Sequence, residues 1–368
     1  MPSERSRTWR LAAPSDPMAP RGTTVPGTAP VLEAHRFDVE ALETFLARQL
    51  PGFTGPLELR QFLGGQSNPT YHLRAASGEY VLRRKPPGKL LPSAHAVERE
   101  FRVISALRGT GVPVPEAFVL CEDSAVIGTA FYVMAYVAGR VLPELALPGL
   151  PPLDRRALWE DAVAVLARLH QVDWEAAGLA DFGRPGNYYA RQLHRWVGQY
   201  RASETETIPA MERLIEWLPA HVPADDATTL VHGDFRIGNT VVHPTAPRIL
   251  AVLDWELSTL GHPLGDLGYL CTAFRLPAGI DGLRGLDLGT LGIPSEAEVV
   301  ARYCRLTGRE GIPGWEFYVA FALFRLAAIC QGIMGRVRDG TASDPGARRR
   351  GERARPLAEA AWAVVEPA

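Results

Sequence analysis

The run HGDFRIGN at residues 232–239, set between two short apolar segments, constrains this 368-residue chain more than any other feature. Residues 229–232 precede it, and residues 249–254 follow, leading into Leu253-Asp-Trp-Glu256. The polar, glycine-bearing run therefore reads as a loop carried on a small β element. An aspartate five residues before an asparagine, with another aspartate ending the next strand, supplies three oxygen-bearing side chains. Phosphoryl transfer asks little covalent chemistry of a protein. It needs a carboxylate to orient and deprotonate the attacking hydroxyl, and oxygen ligands that fix Mg²⁺ on the phosphates. Asp234 suits the first task. Asn239 and Asp254 suit the second, because Mg²⁺ prefers hard oxygen donors.

The rest of the chain is organised in two parts. Residues 1–34 are rich in Pro, Ser, Thr and Arg without an apolar stretch, and are expected to form a disordered tail rather than a secretory signal. Residues 35–138 begin with a short helical pattern and continue as short strands at 57–63, 70–74, 79–84, 117–121 and 130–137. One helix, expected from a Ser93 cap to about 108, interrupts them. After Gly139 apolar residues recur at spacings of three and four, over 153–171, 189–202, 208–218, 296–306 and 315–334. A strand-rich first third joined to a helical remainder (139–335) predicts a bilobal α+β protein. Residues 336–368 contain RRRGERAR and a terminal helix, with 337–356 expected to be solvated.

Net charge near −2 gives no overall field for nucleic acid or a membrane surface, and neither is expected as a partner. No run of 18 or more apolar residues is seen. The four cysteines (Cys121, Cys271, Cys304, Cys330) are widely spaced, as in a reduced, cytoplasmic protein.

HGD-x-x-x-x-N followed about fifteen residues later by DWE resembles the aminoglycoside phosphotransferase family, relatives of protein kinases. The stretches GGQSNPTY, YVLRRKP, FYVMAYVAG and GHPLGDLGYL are most similar to the kinase-like domain fused to acyl-CoA dehydrogenases. The resemblance covers roughly residues 35–335. It implies a protein-kinase-like fold, with an antiparallel-sheet nucleotide lobe, a larger helical lobe, and ATP and Mg²⁺ as cofactors. Gly64, Gly65, Ser67 and Asn68 then take the place of a phosphate-covering loop, although GGQSN lacks the full G-x-G-x-x-G pattern. Arg83 falls where a kinase has its phosphate-binding lysine, and arginine can grip phosphate bidentately. Val81 and Lys85 share its strand face, so Lys85 is the nearby rival. Val97, Phe101, Ile104 and Leu107 define a buried helix stripe; Glu100 borders it and Glu98 does not, which makes Glu100 the partner for Arg83. Met134 is expected behind the adenine, with backbone groups of Ala135 to Val137 along its edge. His232 is expected under the catalytic loop. Asp266 either caps a helix or, by resemblance, braces that loop. His262 either faces the substrate or closes a turn.

The acceptor is expected to be a hydroxyl on a small molecule, with Trp196, Tyr200 and Trp217 as candidate lining. The basic character of the 189–202 helix (Arg191, Arg195, Arg201) suits a neutral or anionic acceptor, including a hydroxyacyl-CoA thioester, better than a polycation. Aminoglycoside or choline kinases, and a catalytically inactive binding module, are the alternatives. A transition-metal hydrolase using His232, Asp234, Asp254 and His262 would leave Asn239 without a role.

Overall fold

The computed structural model describes residues 25–63, 68–86, 95–342 and 346–366. Its first part is a six-stranded antiparallel sheet in the order β1-β2-β3-β4-β6-β5. The strands are β1 (Thr28–Ala29), β2 (Glu58–Phe62), β3 (Thr70–Ala75), β4 (Gly78–Arg84), β5 (Ala117–Cys121) and β6 (Phe131–Ala135). Three helices accompany them: α1 (Val39–Gln49), α2 (Val97–Leu107) and a single turn, α3 (Ser124–Ile127). Ser93, the expected cap of α2, lies outside the described residues, as do Gly64, Gly65 and Ser67; Ala96 stands at the helix N-cap.

Period-two alternation splits the sheet into two faces. Leu82, Phe131 and Val133 point toward α1 and join Leu42, Leu46 and Phe53 in a small outer core. Val81, Tyr132 and Met134 point the other way, into the main core with Val97, Ile104 and Leu107 of α2. Arg83 lies on this inner face. Arg84, one residue on, turns outward to the carbonyls of His35 and Ile127 and over the rings of Phe37 and Tyr71.

The second part is mostly helical: α4 (Pro152–His170), α5 (Tyr188–Ser203), α6 (Pro209–Ala220), α7 (Leu264–Cys271), α8 (Leu288–Leu291), α9 (Glu296–Thr307), α10 (Trp315–Arg338), α11 (Ala347–Gly351) and α12 (Ala354–Val365). Between α6 and α7 run β7 (Thr229–Val231), β8 (Thr240–Val242), β9 (Ile249–Val252) and β10 (Thr259–Gly261). The two apolar runs expected to share one β element belong to separate ribbons: β7 pairs with β10, and β8 with β9. The 232–239 loop and the turn at 254–258 separate them. Gly139 marks the junction of the two parts. A Cβ there would meet Val241 Cγ1 and the Val242 carbonyl oxygen at 2.5 Å, and Arg140 then bonds both ways with Val242.

The segment expected to be solvated is packed. Ala347, Gly351, Ala354 and Ala358 recur at helical spacing and are buried, while Arg348 and Arg349 face outward. Both α11 and α12 lie against α10. By length and composition α10 is apolar enough to cross a membrane, yet 67% of its apolar window is buried inside the protein.

Candidate active site

The 232–239 loop is held from below by one buried carboxylate. Asp266, at the start of α7, accepts the backbone N–H groups of His232 (2.7 Å) and Gly233 (2.8 Å), and its Oδ2 is 3.3 Å from His170 Nε2. Burial alone would push the Asp266 carboxyl up; His170 and the loop amide more than offset this and hold it below the usual carboxylate range. His232 is buried and uses both ring nitrogens. Nδ1 accepts from the Asp234 N–H (3.1 Å), which fixes the hydrogen on Nε2, and Nε2 donates to the Leu253 carbonyl (2.8 Å). This ring joins the loop to the strand that delivers Asp254.

The two loops also meet through backbone, since the Leu253 N–H donates to the Asn239 carbonyl at 2.8 Å. Asn239 Nδ2 donates to Asp234 Oδ2 (2.8 Å) and to the Asp234 carbonyl (2.9 Å), leaving Oδ1 as the side-chain atom able to meet a cation. Asp254 adopts a left-handed conformation (φ 66°, ψ 59°). A non-glycine residue there is strained, and such strain gathers at sites where a side chain must be aimed. Asp234, Asn239 and Asp254 are thus brought together. Their oxygen donors are of the kind Mg²⁺ prefers. Among the described residues there is no group of three or more His, Cys, Asp and Glu that could hold a metal ion. The histidine-rich hydrolase does not fit, because both His232 nitrogens are spent on the loop.

Across the cleft, Arg83 Nε is 2.9 Å from Glu100 Oε2, and Arg83 Nη2 is 2.6 Å from Asp254 Oδ1. Lys85, one residue past the end of β4, instead pairs with Glu98 at 2.9 Å, so the two basic residues meet separate acids. Glu100 also accepts from Asn68 Nδ2 (2.8 Å) and the Tyr132 hydroxyl (3.3 Å). Burial raises its carboxyl to about 7, opposed by the neighbouring guanidinium. Burial works against the charge on Arg83 as well, but Glu100, Asp254 and Glu256 prevail and hold it firmly protonated. Val81 and Met134 are buried opposite each other in the β4–β6 pair. At the strand end the Ala135 N–H goes to the Glu116 carbonyl and the Tyr136 N–H to that of Glu79. This narrows the expected adenine edge: of the three amide donors, only that of Val137 is uncommitted among the described backbone bonds.

Several residues with evident work were given no role by the sequence. Tyr269, in α7, lies near Asp234, and burial together with that carboxylate pushes its phenol up. Arg325, buried in α10, donates to the Gly233 carbonyl and lies 5.6–5.7 Å over the rings of Tyr269 and Trp196. An arginine inside FYVAFALFRLAAIC was the available signal, since a buried cation needs a reason. Glu256 approaches Arg83 at 3.7 Å. His262 is buried against Tyr189 and Tyr318 and accepts the Leu264 N–H at 3.2 Å, so it closes the turn into α7. Tyr200 is fully buried, and Trp217 stacks on His221 at 3.9 Å. Of the α5 arginines, Arg191 is tied to backbone carbonyls and Arg201 to Glu212; Arg195 lies over Trp196.

A family model described as "Phosphotransferase enzyme family" matches residues 58–321. The chain belongs to that family. It is accordingly an enzyme that transfers phosphate to a hydroxyl group. The chain is 50% identical over 342 residues to mouse "Acyl-CoA dehydrogenase family member 10", covering 92% of this chain and 32% of that protein. It spans 32% to 44% of the length of such relatives. A crystal structure of a putative aminoglycoside phosphotransferase from Ralstonia eutropha is 52% identical, with TM-score 0.82 over 89% of this chain and 98% of that one. A thermostable mutant of an aminoglycoside phosphotransferase, solved as a ternary complex with ADP and hygromycin B, shares the fold at 15% identity (TM-score 0.59, 89% of this chain and 100% of that one). The bilobal kinase-like architecture expected from the sequence is the one observed.

Proposed function

We propose that this phosphotransferase uses ATP with Mg²⁺ and phosphorylates the hydroxyl of a small neutral or anionic metabolite, foremost a hydroxyacyl-CoA thioester. The observation that carries the reading is the contact of Asp234 with Asn239, in a loop bonded directly to the one presenting Asp254, opposite the Arg83–Glu100 pair. Asp234 orients the acceptor hydroxyl and accepts its proton. Asn239 shares that carboxylate through Nδ2, which fixes where it points. Asn239 Oδ1 and Asp254 would hold Mg²⁺, which supplies charge neutralisation on the phosphates when bound. Arg83 grips phosphate oxygens, and Glu100 keeps its guanidinium in the cleft. The Val137 N–H and Met134 receive the adenine. The ADP complex of a fold relative supports nucleotide binding, and the dehydrogenase names of the long relatives support the thioester acceptor.

The similarity to a putative aminoglycoside phosphotransferase favours a second reading, an aminoglycoside acceptor. Mg-ATP turnover on hydroxyacyl-CoAs, aminoglycosides and choline separates the two. Phosphorylation of the thioesters is expected. Turnover on the antibiotics alone would replace the acceptor, and nucleotide binding without turnover on any alcohol would make the chain a binding module.

A further inference from the structure

Arg83 faces more negative charge than one phosphate-gripping residue needs. Its guanidinium meets Glu100 at 2.9 Å, Asp254 at 2.6 Å and Glu256 at 3.7 Å. Glu100 belongs to the sheet-bearing lobe; Asp254 and Glu256 reach over from the helical lobe, two residues apart on one turn. These acids differ in how far they can be relied on. Asp254 is the carboxylate the metal would claim, and while its Oδ1 engages a guanidinium it is not fully available to a cation. Glu100 is shared, since Asn68 and Tyr132 also donate to its two oxygens. The Arg83 side chain is only 10% exposed, so losing Asp254 leaves a buried cation short of countercharge.

We propose that Glu256 is a positioning residue that keeps Arg83 in the cleft when Asp254 turns to the nucleotide-bound metal. This inference rests on the nucleotide and magnesium reading above. Glu256 is suited to the task because its backbone does not depend on the ligand. Residues 255–257 form a short turn pinned by the Trp255 indole to the Val252 carbonyl (3.0 Å) and by the Ser258 N–H to the Trp255 carbonyl (3.1 Å). The same turn packs against α2, the helix carrying Glu100, and Arg99 of α2 donates to the Ser258 carbonyl at 3.4 Å. Two acids on alternate residues of one rigid turn can thus divide two cations between them, Asp254 taking the metal and Glu256 the arginine. Without Glu256, Arg83 holds Asp254 more tightly and competes with the metal for it.

The test is a calorimetric titration of ADP into the full chain at stepped Mg²⁺ concentrations, with no turnover involved. Glu256→Gln is expected to raise the Mg²⁺ concentration that half-saturates ADP binding by roughly 5- to 10-fold, within the range of coupled neighbouring charges. The same substitution on an Arg83→Met background is expected to change that midpoint by less than about twofold, because the effect passes through the arginine. An unchanged midpoint in Glu256→Gln overturns the proposal. A full-sized change without Arg83 also overturns it, and makes Glu256 a metal ligand instead. Circular dichroism checks folding, with Glu256→Ser taking the place of a variant that does not fold. If the unsubstituted chain binds no Mg-ADP, the nucleotide reading itself fails; if it binds and the substitution is silent, only the role of Glu256 does.

Discussion

Gly233 has φ +84°, and a Cβ on it would come within 2.6 Å of the Leu257 carbonyl oxygen. Glycine at the centre of the HGD run therefore reflects both a left-handed backbone and the close approach of the turn carrying Asp254 and Glu256. Gly233→Ala should cost about 1–3 kcal/mol in chemical denaturation and displace Asp234, lowering turnover as well; wild-type values for both would contradict the packing described. Asp234→Ala should lower turnover by roughly 10²–10⁴-fold with nucleotide affinity nearly unchanged, the usual worth of a positioned base. His262 supplies a test by pH. Burial lowers its pKa to about 4, from an unfolded value near 6.5. The native state thus favours the neutral ring, and the stability this confers is present above pH 6.5 and lost as pH falls toward 4. The loss can reach about 3 kcal/mol, and His262→Asn should flatten that acid limb in urea melts. Spacing alone pointed to Asp234, Asn239 and Asp254, and the fold bonds the two loops that carry them. Tyr269 was not legible as a site residue, because a contact made from α7 across such a distance leaves no local pattern; Arg325 showed as a cation inside an apolar helix, a signal that says it has a partner but not which.

At the scale of elements, where β4 ends decides which basic residue serves the cleft: Arg83 is held within the sheet, and Lys85, on the same face, lies past its last strand residue. Arg83 looks inward to Glu100 and Asp254, whereas Lys85 meets Glu98 near the surface. Arg83→Ala should weaken Mg-ADP binding by tenfold or more, in line with losing a charge-assisted hydrogen bond, while Lys85→Ala should change it by less than about threefold. The reverse order would move the role two residues along the strand. The helix stripe of α2 was readable for the same reason as β4, since an amphipathic period states which side is buried. The β7–β10 and β8–β9 ribbons were not readable as separate, because three- and four-residue strands carry no register information of their own. The packed α11 and α12 were hidden by their arginines, which drew attention from the small residues at 347, 351, 354 and 358 that form the actual contact stripe.

Over the whole molecule, the fold brings residues more than 170 positions apart into one cleft, as the Arg83–Asp254 contact shows. A sheet-bearing lobe supplies Arg83 and Glu100, and a helical lobe supplies Asp234, Asn239 and Asp254. Neither lobe holds the full set of groups. The measurement that bears most directly on this division is a Mg²⁺-dependent ADP titration of Asp254→Ala beside the unsubstituted chain. Binding that strengthens with Mg²⁺ in the unsubstituted chain and loses that dependence in Asp254→Ala is the expected result. Equal Mg²⁺ dependence in both would mean that Asp254 holds no metal, and the active site would have to be sought elsewhere.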